Sequence, residues 1–93
     1  MEGSLKTIFD PARAWTLAAD VSLREESFGA LAYHHGNRRL VFLKSSELVN
    51  LLRRLDEFAS VNLALDDIVP RDQRTRYLEA LASLQRSDLL RER

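Results

Sequence analysis

Between Ala30 and Leu43 the chain reads ALAYHHGNRRLVFL, two β-prone runs divided by Gly36-Asn37. A glycine-led pair between such runs suits a two-residue type II′ turn, with Gly36 in the positive-φ region that the first central position requires. The turn folds the segment into an antiparallel hairpin and dictates its partners: His35 opposite Arg38, Tyr33 opposite Leu40, Leu31 opposite Phe42. Leu31, Tyr33, Leu40 and Phe42 then share one face, and Ala30, Ala32, Val41 and Leu43 the other. The bulkier face is expected to meet the helices.

A lone hairpin is marginal in water and needs a third strand and a covering layer. Upstream, DVSLREE (Asp20 to Glu26) alternates Val21 and Leu23 against Ser22 and Arg24, the period of a strand with one wet face, and Glu25 to Ser27 turn the chain. Downstream, Ser45 or Ser46 caps a helix with Leu48, Leu51, Leu52, Leu55, Phe58 and Ala59 on one side and Glu47 in its first turn. After Ser60 a shorter helix covers VNLALDDIV. Pro70 then opens a third, PRDQRTRYLEALASLQR, whose stripe is Tyr77, Leu78, Leu81 and Leu84. Leu89 and Leu90 are expected to tuck back as an apolar tail. Near the start, Asp10 and Pro11 suit a single helical turn that presents Trp15 to the core, while residues 1–8 are polar enough to fray.

The order predicts an α+β domain: a three-stranded antiparallel sheet followed by three helices, winged helix-turn-helix-like in its last two helices, with 1–8 a flexible N-terminus and 9–93 a single domain. At 93 residues the chain supports one core but no large internal substrate cavity, so function belongs on a surface or in a groove. Fourteen basic against fourteen acidic side chains leave no global field for nucleic acid or anionic lipid. The absence of cysteine removes disulfides, thiolate metal sites and thiol nucleophiles. With no signal-like segment and no membrane-length apolar run, a soluble, cytoplasmic protein is expected, without a membrane partner.

No catalytic set assembles, and neither a metal site nor a cofactor is expected. His34 and His35 are adjacent on a strand and point to opposite faces, so they cannot chelate one ion together; solvated or capping roles suffice. Helix capping accounts for Ser45-Ser46, and no G-x-S-x-G elbow is present. Asp66-Asp67 and Asp56-Glu57 diverge by about 100° on a helix. With glycine only at Gly3, Gly29 and Gly36, there is no phosphate loop. The run RDQRTR sets Arg71 and Arg74 on one side of a helix start with Gln73 beside them, as a DNA-reading helix would. Asp72, Glu79 and the zero net charge oppose that alternative.

That leaves RRLVFL. Its apolar centre is flanked by Arg38, Arg39 and Lys44, which guard an edge strand without blocking it. Beside an amphipathic helix, such an edge meets the requirement for strand addition by a partner peptide. Alternatively residues 1–19, or a second copy pairing as a homodimer through the free edge, cover it. The residues alone leave both readings open.

FDPARAW followed by VSLREESFGALAYHHGNRRLVFLKS and a leucine-rich helix resembles the mycofactocin-biosynthesis peptide chaperone family (MftB), relatives of the PqqD-like precursor-recognition domains. The likeness spans Phe9 to Leu90; it departs at RSDLL, where relatives tend to carry a small residue or glycine before a leucine pair. It implies a non-catalytic domain that captures the leader of a ribosomally made precursor peptide and presents its C-terminal end to a radical-SAM maturase. The maturase holds the iron–sulfur clusters and modifies the terminal Val-Tyr. The resemblance further implies that the leader adds as a fourth strand to the third, in a groove against the last helix. Here that gives Arg39, Leu40, Val41, Phe42 and Leu43 as the strand template, and Arg74, Tyr77, Leu78 and Leu81 as the groove wall; the flanking charges Arg38 and Lys44 complete the expected peptide-binding set.

Overall fold

The computed structural model describes residues 8–93; residues 1–7, which make up nearly all of the expected flexible N-terminus, lie outside the described residues. Strands Val21–Glu26 (β2), Gly29–His34 (β3) and Leu40–Leu43 (β4) form an antiparallel meander in the order β2-β3-β4. Three helices follow, Ser46–Arg54 (α1), Val61–Ile68 (α2) and Arg74–Arg86 (α3). The α+β architecture is the one expected, with one addition. Trp15–Leu17 (β1) and Leu90–Glu92 (β5) pair as a separate two-stranded antiparallel sheet that ties the two ends of the domain together.

The addition changes the reading of both ends. Asp10 and Pro11 do make a turn: Asp10 Oδ1 accepts from the Ala12 N–H at 2.9 Å. No helix follows, however, and Trp15 reaches the core from an extended strand, 2% exposed, its indole N–H donating to the Asp10 carbonyl at 2.8 Å. The apolar tail tucks back as a strand because α3 ends in a sharp reversal. Asp88 takes φ 66, the Leu89 N–H donates to the Leu84 carbonyl and the Asp88 N–H to that of Gln85. These are the two bonds of a Schellman stop, with Asp88 in the position glycine usually holds. Leu89 and Leu90 are thereby turned into the core, 1% and 4% exposed.

In the hairpin the pairs Tyr33–Leu40 and Leu31–Phe42 form as expected, but the turn differs. The loop spans His35–Arg38, so the expected His35–Arg38 pair is absent from the ladder, and the positive φ falls on Arg38 (φ 65), not on Gly36. His34 closes this wider loop, its Nδ1 accepting from the Gly36 and Asn37 N–H groups at 3.0 and 3.1 Å. With that cap, no type II′ geometry is needed. Positive φ among the glycines occurs at Gly29 (φ 143), where a Cβ would stand 2.0 Å from the Leu43 carbonyl oxygen. Only glycine lets the end of β4 approach there.

The expected orientation of the sheet is overturned. Ala30, Ala32 and Leu43 are buried at 0%, 1% and 2% exposure, while Leu40 and Phe42 on the other face are 51% and 59% exposed. The helices already supply Leu48, Leu51, Leu52, Leu55, Leu65 and Leu81 to the core, and Trp15 joins them. Against so many large side chains the central strand must present small ones, or the layers would be overpacked. The smaller face therefore turns in.

Ser45 caps α1, its Oγ accepting from the Leu48 N–H at 3.1 Å, and Ser60 caps α2 in the same way at Leu63. The first helix is shorter than its apolar pattern: beyond Arg54 it tightens into a 3-10 turn over Leu55–Glu57, and Phe58 is extended. That turn buries Leu55 yet redirects the chain so that Ser60 can start α2. Arg54 reinforces it, bonding Glu57 and Asp67 with its guanidinium over the Phe58 ring.

Candidate functional site

The outer edge of β4 carries no strand partner among the described residues. Which of its backbone groups are vacant follows from the ladder. The His34 N–H donates to the Arg39 carbonyl at 2.9 Å, which marks 34/39 as a hydrogen-bonded pair. In an antiparallel ladder such pairs alternate with non-bonded ones, so Ala32–Val41 and Ala30–Leu43 exchange bonds, whereas Tyr33–Leu40 and Leu31–Phe42 do not. Val41 and Leu43 thus turn their N–H and C=O groups inward to β3. Leu40 and Phe42 turn theirs outward, to solvent.

The side chains of the same two residues are the exposed apolar ones. Leu40 and Phe42 lie on the face away from the helices, with Phe28 (41% exposed) 6.0 Å from the Phe42 ring and half-buried Leu31 and Tyr33 alongside. Arg38 and Arg39 stand at one end of the strand and Lys44 at the other, and none of them has an ion-pair partner among the described residues.

At the Lys44 end a cleft of about 710 Å³ opens between the β2–β3 turn, the start of α1 and the first turns of α3, with Phe28, Lys44, Ser45, Gln73, Arg76 and Tyr77 on its wall. Tyr77 is fixed there, its hydroxyl 3.0 Å from Ser45 Oγ, so the serine that caps α1 also locks α3 against the sheet. Of the wall expected on α3, Tyr77 alone lines this cleft. Arg74 faces α2, bonding Asp66 Oδ1 at 2.5 Å and Asn62 Oδ1 at 2.7 Å. Leu81 is 0% exposed within the core, and Leu78 packs partly buried against it.

Gln73 and Arg76 take the places on the cleft that Arg74 and Leu78 were expected to hold. Helical spacing from Tyr77 does not single them out, since Arg74 three residues before it is as well placed as Gln73 four before it, and Arg76 is adjacent; what turns Arg74 away is its bonding to Asp66 and Asn62, a tertiary contact that local pattern does not carry.

Rival chemistries find structural roles. His35 Nε2 is 2.7 Å from Ser22 Oγ and His34 caps the loop, and no three metal-ligating side chains converge among the described residues. Nor is any described helix long and apolar enough to cross a membrane.

The profile of the peptide chaperone MftB family matches residues 14–91. Proteins named peptide chaperone MftB from Mycobacterium ulcerans and Mycolicibacterium smegmatis are each 41% identical to the chain, covering 88% of it and 76% and 81% of their own lengths. One from Mycobacterium tuberculosis is 39% identical, over 88% of the chain and 76% of its own length. No solved structure matches. The role for which these relatives are named, that of a peptide chaperone, is non-catalytic. The chain belongs to the peptide chaperone MftB family.

Proposed function

We propose that this protein captures the leader of a ribosomally synthesised precursor peptide by strand addition to β4, and presents the peptide's C-terminal end to a radical-SAM maturase in mycofactocin biosynthesis. The observation that carries the reading is the edge of β4, which has no strand partner among the described residues and where Leu40 and Phe42 direct their backbone donors and acceptors outward. A visiting strand gains main-chain hydrogen bonds there, and the cleft beside Tyr77 receives the flanking chain. Residues 9–93 act as one peptide-recognition domain, and a cytoplasmic setting goes with this role.

The contribution to the reaction is positional. Holding the leader raises the local concentration of the modifiable tail at the maturase and turns an encounter of two solutes into a tethered one. The chaperone adds no acid, base or metal. A DNA-reading alternative would depend on Arg71 and Arg74, and Arg74 is committed to Asp66 and Asn62.

Titrating isotope-labelled protein with the precursor peptide of the same organism tests the proposal. Amide shifts should concentrate on residues 39–44 and 73–77, and peptide turnover by the maturase should fall sharply without the chaperone. Flat spectra across those segments would refute capture at this edge.

A further inference from the structure

The orientation of the sheet has a consequence for which peptides the edge accepts. Residues opposite Leu40 and Phe42 in an added strand would project their side chains onto the same face, whichever way the strand runs. That face is the outer one, away from the helices, where Leu40, Phe42 and Phe28 are exposed. Two residues beyond the one over Phe42 the visitor lies opposite Lys44, and past Leu40 it runs by Arg38, which bends out of the strand at φ 65 with its N–H on the His34 carbonyl; neither charge has an ion-pair partner among the described residues.

We propose that the outer face of the sheet reads the docked peptide through a period-2 pattern: an acidic residue over Lys44 and two apolar residues at alternate positions over Phe42 and Leu40, each separated by one residue that this face does not read, with a second acidic residue beyond Leu40 where the peptide passes Arg38. The pattern is the same whether the visitor runs parallel or antiparallel to β4. It deepens the leader-capture reading and rests on it for the identity of the natural peptide.

Charge also decides against a second copy as the occupant. Two β4 edges pairing about a twofold axis at Val41 would match Leu40 with Phe42 of the other copy. The same register brings Arg38 and Arg39, at the loop end of β4, near the other copy's Lys44 at both ends. Like charges brought together across a strand pair are destabilising, and the protein as a whole is neutral, so this concentration of cations, without ion-pair partners among the described residues, suits an acidic strand.

The test uses a fluorescein-labelled precursor peptide and two unlabelled competitors, Ac-Glu-Thr-Val-Thr-Val-Thr-Glu-NH2 and its counterpart with lysine at both ends. Leu40→Thr with Phe42→Thr should weaken precursor binding at least tenfold, with the fold checked by circular dichroism, while Leu63→Thr, at an equally exposed leucine on α2, changes it less than twofold. The glutamate-ended competitor should displace the precursor at a concentration at least tenfold below that of the lysine-ended one. Precursor binding with less than a threefold loss in the double variant, or equal potency of the competitors, overturns the outer-face readout while leaving leader capture standing. Should the precursor not bind at all, leader capture itself falls, and direct binding of the labelled heptapeptides then decides the pattern on its own.

Discussion

Proline placed at Val41 or at Phe42 should have very different costs, because the two adjacent N–H groups point opposite ways. The Val41 N–H faces β3 and pairs with Ala32, which is 1% exposed. Proline there deletes the donor and strands the Ala32 carbonyl in a dry interior, at about 1–3 kcal/mol. The lost packing of the valine and the intrusion of the ring into the ladder raise the total to roughly 3–4 kcal/mol. Phe42 offers its N–H to solvent, and proline is tolerated on the open side of an edge strand. Its cost should be about 1 kcal/mol, from poorer strand propensity.

Trp15, the single tryptophan, is 2% exposed and reports unfolding directly. In a urea titration at a slope near ~1 kcal/mol per molar, the midpoint of Val41→Pro should lie about 2 M below that of Phe42→Pro. Peptide binding should show the converse: Phe42→Pro, although folded, should bind the precursor at least fivefold more weakly, because a donor to the visitor is gone. Coincident midpoints, or a lower one for Phe42→Pro, would refute the alternation from which the vacant groups were assigned.

Gly29→Ala should cost about 2–4 kcal/mol from backbone strain and the opened end of the ladder, with faster amide exchange at Ala30 and Leu43; a loss below ~1 kcal/mol would contradict the close approach of the Leu43 carbonyl. Arg38→Gly should stabilise the free protein by about 0.5–1 kcal/mol, since it relieves the left-handed conformation at φ 65, yet weaken an acidic peptide, a split read by urea titration and fluorescence polarisation together. Ser45→Ala should lose roughly 1–2 kcal/mol because cap and Tyr77 partner go together, and Tyr77→Phe less than ~1 kcal/mol; a double-mutant cycle should show the two substitutions to be coupled.

The helices were legible because their caps and stripes act locally: Ser45 and Ser60 bond the N–H groups three residues on, as their positions imply. Register in the hairpin was legible too, since widening the loop to His35–Arg38 leaves every later pair unchanged. The buried face was not read correctly, although a clue was present. Ser22 and Arg24 are the wet side of β2, and the ladder places them opposite Tyr33 and Leu31, which assigns those residues to the wet face as well. Reading that clue needs the β2–β3 turn at Ser27-Phe28 to be known to the residue, because one more or one fewer would invert the parity. The pairing of β1 with β5 lay beyond local pattern altogether. Three-residue strands from opposite ends of a chain leave no periodicity, and what brings them together is the burial of Trp15, Leu89 and Leu90 in a core shared with α3.

The same parity explains why an edge this short needs side-chain readout. Leu40 and Phe42 offer two donors and two acceptors, and at a net contribution of about 1 kcal/mol each the backbone bonds yield only ~4 kcal/mol. Fixing the visitor's backbone costs at least ~1 kcal/mol per residue, so a docked stretch as long as β4 with its flanks loses more than those bonds return. Backbone addition alone therefore cannot hold a disordered leader. The surplus must come from apolar contact with exposed Leu40, Phe42 and Phe28, and from cations at both ends that have no ion-pair partner among the described residues. Had the bulky face turned inward, the helices would have consumed those side chains, and the edge would have kept its hydrogen bonds without the means to choose or retain a peptide.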